Sequence, residues 1–353
     1  MESNLCKLIK AVPEPDAAAR EEARKRWDGV AKPLGSLGLL EEALLRIAGA
    51  TGSAEIALKP RSLLVFCADN GVVARGVTQC GSGVTAAVTR ALAEGRSTVS
   101  PMAALAECRV LPVDMGVFDF PGTPGVLSRR VRNGTADISL GPAMSREDCL
   151  RAILSGAELA MERAAAGDRL LAVGEMGIGN TTTAAAVAAV LLGCDPDALC
   201  GRGAGLSDAG LERKKAAIRA AIGASRPDPA DVLDVLAKVG GLDIAGMCGA
   251  FLGAAVSRTP VLIDGFISAA AALCAVRLCP AAKTALLASH VSAETAGPLL
   301  LRALGLEPLI TAGMRLGEGS GAVAAMPLLD MALAVYQSGQ SFARLGIEAY
   351  RPQ

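Results

Sequence analysis

Five short apolar runs punctuate this chain, separated by alanine-rich stretches of helical length: Ser62–Ala68, Val110–Val113, Arg169–Val173, Pro260–Ile263 and Thr284–Ser289. Each is apolar along most of its length instead of alternating with polar residues. That is the pattern of a strand covered on both faces. Helical patterns fall between the runs. One starts at Ser145, an N-cap with Asp148 three residues later, and ends near Gly167. A second begins at Ser207 or Asp208 and carries Lys214 and Lys215. A third follows Gly241 through Phe251, and a fourth follows Gly319 to about Val335. Strands alternating with crossover helices predict an α/β fold, a Rossmann-like and mostly parallel sheet flanked by helices.

The two chain ends depart from this alternation. Residues 1–55 carry helical segments around Ala17–Arg26 and Leu39–Ala48, joined by Lys32-Pro33-Leu34-Gly35-Ser36, with no strand pattern. Residues from about 335 to 353 read as helical or irregular. Together the ends are expected to form a small helical domain beside a large α/β domain, 56–334, that carries the active site.

Composition narrows the chemistry. The hydrophobic fraction is 52% but aromatics are only 3%, so an aliphatic core is expected and disorder is excluded. Lys and Arg number 35 against 35 Asp and Glu, without the basic excess of a general nucleic-acid binder. The single histidine, His290, excludes multi-histidine metal sites and leaves carboxylates as the chief candidates for acid or base. Ten cysteines are scattered without a C-x-x-C pair, which predicts free thiols in a reducing cytoplasm. No signal-peptide pattern is present. The longest apolar runs fall short of the roughly 18 residues of a membrane span.

In open parallel sheets, ligands bind beyond the carboxyl ends of the strands. Just there the sequence places polar turns: Asp69-Asn70-Gly71, Gly174-Glu175-Met176-Gly177-Ile178-Gly179-Asn180-Thr181, Asp264-Gly265 and His290-Val291-Ser292. Two further glycine turns are Gly201-Arg202-Gly203-Ala204-Gly205 and Leu316-Gly317-Glu318-Gly319-Ser320-Gly321. Glycine turns that open helices let backbone N–H groups approach an anion, and Gly177–Thr183 suits a phosphate. It is not a Walker A loop, and Gly201–Gly205 lacks the G-x-G-x-x-G spacing of a dinucleotide fold. Ordinary helix capping explains any one of these turns taken alone.

Two carboxylates stand inside such turns, Glu175 and Glu318. A Glu at a helix start can merely complement the macrodipole. In a desolvated glycine-lined pocket it is also a general base.

At these residues the chain resembles the nicotinate-nucleotide–dimethylbenzimidazole phosphoribosyltransferase family of cobalamin nucleotide-loop assembly. The matching segments are Lys32-Pro33-Leu34-Gly35-Ser36-Leu37-Gly38, Ala68-Asp69-Asn70-Gly71-Val72, Gly174 to Thr182, Val239-Gly240-Gly241-Leu242-Asp243, Leu262-Ile263-Asp264-Gly265-Phe266 and Met314 to Gly321. The resemblance implies a reaction. A ring nitrogen of 5,6-dimethylbenzimidazole attacks C1′ of nicotinate mononucleotide, nicotinate leaves, and inversion gives α-ribazole 5′-phosphate. It implies Glu318 as general base and Glu175 as a supporting carboxylate. It implies Gly177, Asn180, Thr181, Gly203, Lys214, Asp264, Ser292 and Gly317 around the nucleotide and its phosphate. Cys80, Val88, Met176 and Leu316 are implied around the aromatic base. No cofactor or metal is implied, because the pyridinium ring is already a good leaving group. A homodimer is expected, with no nucleic-acid or membrane partner.

Two departures bear on these implications. Many members read Asp-His-Gly where this chain has Asp69-Asn70-Gly71, and polar residues where it has Cys80 and Val88. The less polar pair leaves the base open among benzimidazoles, purines and phenols. A non-catalytic paralogue serving as a partner subunit has no chemical need of Glu318. A dehydrogenase lacks its glycine fingerprint.

Overall fold

The computed structural model describes residues 1–350. All strands of its six-stranded sheet run parallel, in the order β3-β2-β1-β4-β5-β6. The strands are β1 Arg61–Ala68, β2 Arg109–Gly116, β3 Leu127–Ser128, β4 Leu170–Met176, β5 Val261–Ile263 and β6 Leu286–Ala288. The five expected strands are present. β3 is a two-residue edge too short to leave a pattern in the sequence. Thr284–Ser289 contracts to Leu286–Ala288, because Pro280–Ala285 winds as a 3₁₀ segment before it. β4 runs past its expected end at Val173: Gly174, Glu175 and Met176 remain in register with Val65, Phe66 and Cys67 of β1. Glu175 is therefore a strand residue rather than a turn residue.

Side chains alternate across the sheet, as strand geometry requires. Leu64, Phe66, Val113, Met115, Leu171 and Val173 face one apolar layer. Leu63, Val65, Cys67, Leu170 and Ala172 face the other. Against the first layer lie the helices Arg146–Ala165 and Leu242–Val256. They touch backbone to backbone, for a Cβ on Gly249 would lie 2.9 Å from Ile153 Cα. In the second layer the helices Ala17–Gly29, Leu39–Thr51 and Ser320–Tyr336 contribute Trp27, Leu44, Ile47, Met326 and Leu329. Trp27 meets Tyr336 edge to face at 5.2 Å, and Val30 bridges Ser341. Residues 351–353 of the expected terminal layer lie outside the described residues.

The expected helix starts are present. Ser145 Oγ accepts from the Asp148 N–H at 3.0 Å, and Ser207 Oγ accepts from the Gly210 N–H at 3.2 Å. Each satisfies a helix N–H that otherwise lacks a partner. All ten cysteines are unpaired. Among the described residues no helix is long and apolar enough to cross a membrane.

Candidate active site

The carboxyl ends of β4, β5 and β6 open onto a cavity of about 190 Å³. Into it come Glu175, Met176, Gly177, Asn180 and Thr181 from the end of β4 and the helix Asn180–Leu192. Asp264 follows β5, and His290 and Ser292 follow β6. Gly203 arrives from one loop, and Leu316, Gly317 and Glu318 from another. The sheet thus gathers eleven of the fourteen sequence-predicted site residues at one edge.

Glu175 is buried, and its Oε2 accepts from Asn180 Nδ2. The same nitrogen donates to Asp243 Oδ2 at 3.0 Å. Burial and the nearby Asp243 charge push the Glu175 carboxyl up to about 8, with Asn180 working against the rise. Burial likewise pushes Asp243 up to about 6, opposed by its bonds from Asn180 and the Ile244 N–H. In both, the cost of removing a carboxylate from water exceeds what the hydrogen bonds to it return.

Glu318 stands in the left-handed region, φ +58°, between Gly317 at +90° and Gly319 at +81°. For a residue with a side chain this costs on the order of 1 kcal/mol. The turn is held from two sides. Glu318 N–H donates to the Glu175 carbonyl at 3.3 Å, and Glu318 Oε2 accepts from the Val99 N–H at 3.1 Å. Gly174 makes the crossing possible, since a Cβ there would lie 2.6 Å from Gly319 Cα. Beyond the turn, Asp264 Oδ1 accepts from the N–H groups of Gly321 at 2.7 Å and Ala322 at 3.1 Å, capping the helix Ser320–Tyr336 from outside. Burial raises the Asp264 carboxyl, and His290, 4.0 Å away, opposes the rise.

The Gly177–Gly179 turn is bolted from behind. Ile178 N–H donates to Thr85 Oγ1 at 3.1 Å, and Thr85 Oγ1 donates to Asp69 Oδ1 at 2.6 Å. Asp69 Oδ2 in turn accepts from the Phe118 N–H at 2.8 Å. Thr85 leaves no signal in the sequence, and Asp69 and Asp243 lie in family-like motifs that assign them no role.

Three predicted residues do not line the cavity. Lys214 is almost wholly buried beneath the Gly201–Gly205 loop, donating to Thr181 Oγ1 at 2.8 Å and to the Gly201 carbonyl at 3.0 Å. Burial lowers its ammonium. Cys80 is half-buried, just beyond the lining segment Val77–Gln79. Val88 packs on the second apolar layer from the helix Gly83–Ala93.

A family model described as "Phosphoribosyltransferase" matches residues 12–347. The chain is 44% identical to a nicotinate-nucleotide–dimethylbenzimidazole phosphoribosyltransferase of Ruminiclostridium cellulolyticum, over 98% of each chain. It is 43% identical to one of Acetivibrio thermocellus, over 99% of each. This chain belongs to that phosphoribosyltransferase family. The crystal structure of CobT from Thermus thermophilus is similar at TM-score 0.89 and 40% identity, covering 94% of this chain and 99% of that one. The span matched to the phosphoribosyltransferase family takes in every cavity residue named above. The six-stranded parallel sheet agrees with the α/β architecture of that solved structure.

Proposed function

We propose that this chain moves the 5-phosphoribosyl group of nicotinate mononucleotide to 5,6-dimethylbenzimidazole, or to a related lower-ligand base, as a pentosyltransferase of cobalamin nucleotide-loop assembly. The observation that carries the reading is two buried carboxylates, Glu175 and Glu318, tied together on one glycine-lined cavity in a chain of this family. The attacking nitrogen forms a bond to C1′ as the bond from C1′ to the pyridinium nitrogen breaks, and nicotinate leaves with that electron pair. The N–H at the other benzimidazole nitrogen becomes acidic, and Glu318 accepts its proton. Attack from the face opposite nicotinate inverts the centre to α.

Gly177, Asn180, Thr181, Gly203, Asp264, Ser292 and Gly317 surround the nucleotide in this reading. Lys214 acts by bracing Thr181 and the Gly201 carbonyl. Met176 and Leu316 flank the base, and Cys80 and Val88 tune its choice from beside the cavity. Replacing both, Cys80→Ser with Val88→Gln, shifts the ratio of kcat/KM for dimethylbenzimidazole over a purine. An unchanged ratio removes them from that role.

The reading includes a homodimer, and a place in the cytoplasm, which the ten unpaired thiols support. It also groups residues 1–55 with the C-terminal stretch from about 335 as a small helical domain beside 56–334. The Trp27–Tyr336 contact and the Val30–Ser341 bridge favour that grouping.

Incubation with nicotinate mononucleotide and dimethylbenzimidazole should release nicotinate only when both are present. No release with any of a panel of benzimidazoles, purines and phenols contradicts the function.

A further inference from the structure

Behind Glu175 lies a residue that the reaction above does not use. Asp243 is the second residue of the helix Leu242–Val256 and is fully buried. Its Oδ2 takes one hydrogen of the Asn180 amide at 3.0 Å, while the same nitrogen reaches Glu175 Oε2 with the other. Its Oδ1 is held by the Ile244 N–H at 2.9 Å. An amide that spends both hydrogens on two buried acceptors from different elements has one orientation available. Asn180 Nδ2 is thereby fixed, and with it the Glu175 carboxyl, whose Oε1 lies 2.6 Å from where a Cβ of Gly317 would stand.

The space behind Glu175 is rich in acceptors. Asn70 Oδ1 is buried without a hydrogen-bond partner and lies 2.9 Å from where a Cβ of Gly241 would stand, on the Asp243 side of Glu175. Neither Glu175 nor Asp243 forms an ion pair among the described residues. The charged groups that act most strongly on Glu175 are acidic: Asp243 from the helix Leu242–Val256, Asp264 from the end of β5 and Glu318 from the turn before Ser320–Tyr336. Asp243 is faced in turn by Asp69 from the end of β1.

We propose that Asp243 is a positioning residue of the phosphoribosyl transfer, pinning the Asn180 amide and through it holding Glu175 against the Gly317–Glu318 turn. Its negative charge, felt across one shared amide, adds to burial in keeping the proton on Glu175. A neutral Glu175 places no second anion beside Glu318, so the carboxylate that takes the benzimidazole proton keeps a single, defined role. The inference rests on the function proposed above.

Its test separates the two. Infrared difference spectra of the whole protein, compared with Glu175→Gln, report the Glu175 titration without any turnover. In Asp243→Asn the Glu175 midpoint is expected to fall by about one pH unit or more, because a like charge has gone. Turnover with nicotinate mononucleotide and dimethylbenzimidazole is expected to fall about tenfold to a hundredfold in kcat, with the nucleotide KM changed less than about threefold. In an Asn180→Ala background the same substitution should cost clearly less than it does alone, because the amide it pins is gone. An unmoved Glu175 midpoint, wild-type kcat in Asp243→Asn, or additive losses in the double variant overturns the proposal. A wild-type protein without turnover overturns the proposed function instead, while the infrared titration still decides the Asp243–Glu175 coupling.

Discussion

Glu318 donates its backbone N–H to the carbonyl of Glu175 at 3.3 Å, so the last turn of β4 and the turn that opens the helix Ser320–Tyr336 are one structural unit. The two carboxylates face a common cavity because Gly174 lets one backbone cross the other.

If Glu318 takes the proton, Glu318→Gln keeps the turn but loses the base. The kcat should fall by roughly 10²–10⁴-fold, the range of a positioned general base. Calorimetric affinity for nicotinate mononucleotide should stay within about threefold, because the residues proposed to bind it lie on other turns, apart from Gly317, whose backbone the substitution leaves in place. Unimpaired turnover removes Glu318 from the role.

Glu175 binds its proton more tightly in the folded chain than in the unfolded one, releasing it near pH 8 instead of in the ordinary carboxylate range. Between those two titrations the folded state carries more protons. Stability from this group is therefore full at acid pH and is lost as pH rises toward about 8. Glu175→Gln should abolish that dependence. The thermal midpoint of wild type minus that of the variant should fall from pH 5 to about pH 8 and then level off, and a constant difference would sink the claim.

Gly174→Ala places a Cβ 2.6 Å from Gly319 Cα and 2.7 Å from the Glu318 carbonyl carbon. Both neighbours are backbone, so the turn must move. The expected cost is about 1–3 kcal/mol in denaturant unfolding, with a fall in kcat larger than in neighbouring Ala172→Gly. Wild-type kcat in a stable Gly174→Ala protein contradicts the crossing.

Lys214→Met keeps the stem but removes the donor to Thr181 Oγ1 and the Gly201 carbonyl. The two half-buried acceptors left without this donor cost at most roughly 1–3 kcal/mol each. The nucleotide KM should rise at least about tenfold as the Gly201–Gly205 loop loosens, while the base KM changes little. An unchanged nucleotide KM excludes the brace.

What the sequence made legible follows from locality. β1 is wholly buried and apolar from Leu63 to Ala68, so its run was readable. Ser145 and Ser207 cap helices through bonds three residues away, and such spacing is visible in a string. Gly174 looked like the start of a turn, but its reason is a contact with Glu318 and Gly319 that only the fold brings together. Lys214 was legible as a charge on a helix, whereas its burial depends on the loop above it. The partnerships Thr85–Asp69 and Asn180–Asp243 join distant elements. No periodicity or local spacing encodes them. The two-residue β3 carries too little sequence to show a pattern at all.

The central claim is a single-displacement transfer at C1′ onto an aromatic nitrogen. Nuclear magnetic resonance of the product formed from nicotinate mononucleotide and dimethylbenzimidazole reads it directly. The expected product is α-ribazole 5′-phosphate, with the α configuration at C1′ and one equivalent of free nicotinate. A β-configured product, or nicotinate released without a new bond from nitrogen to C1′, would contradict it.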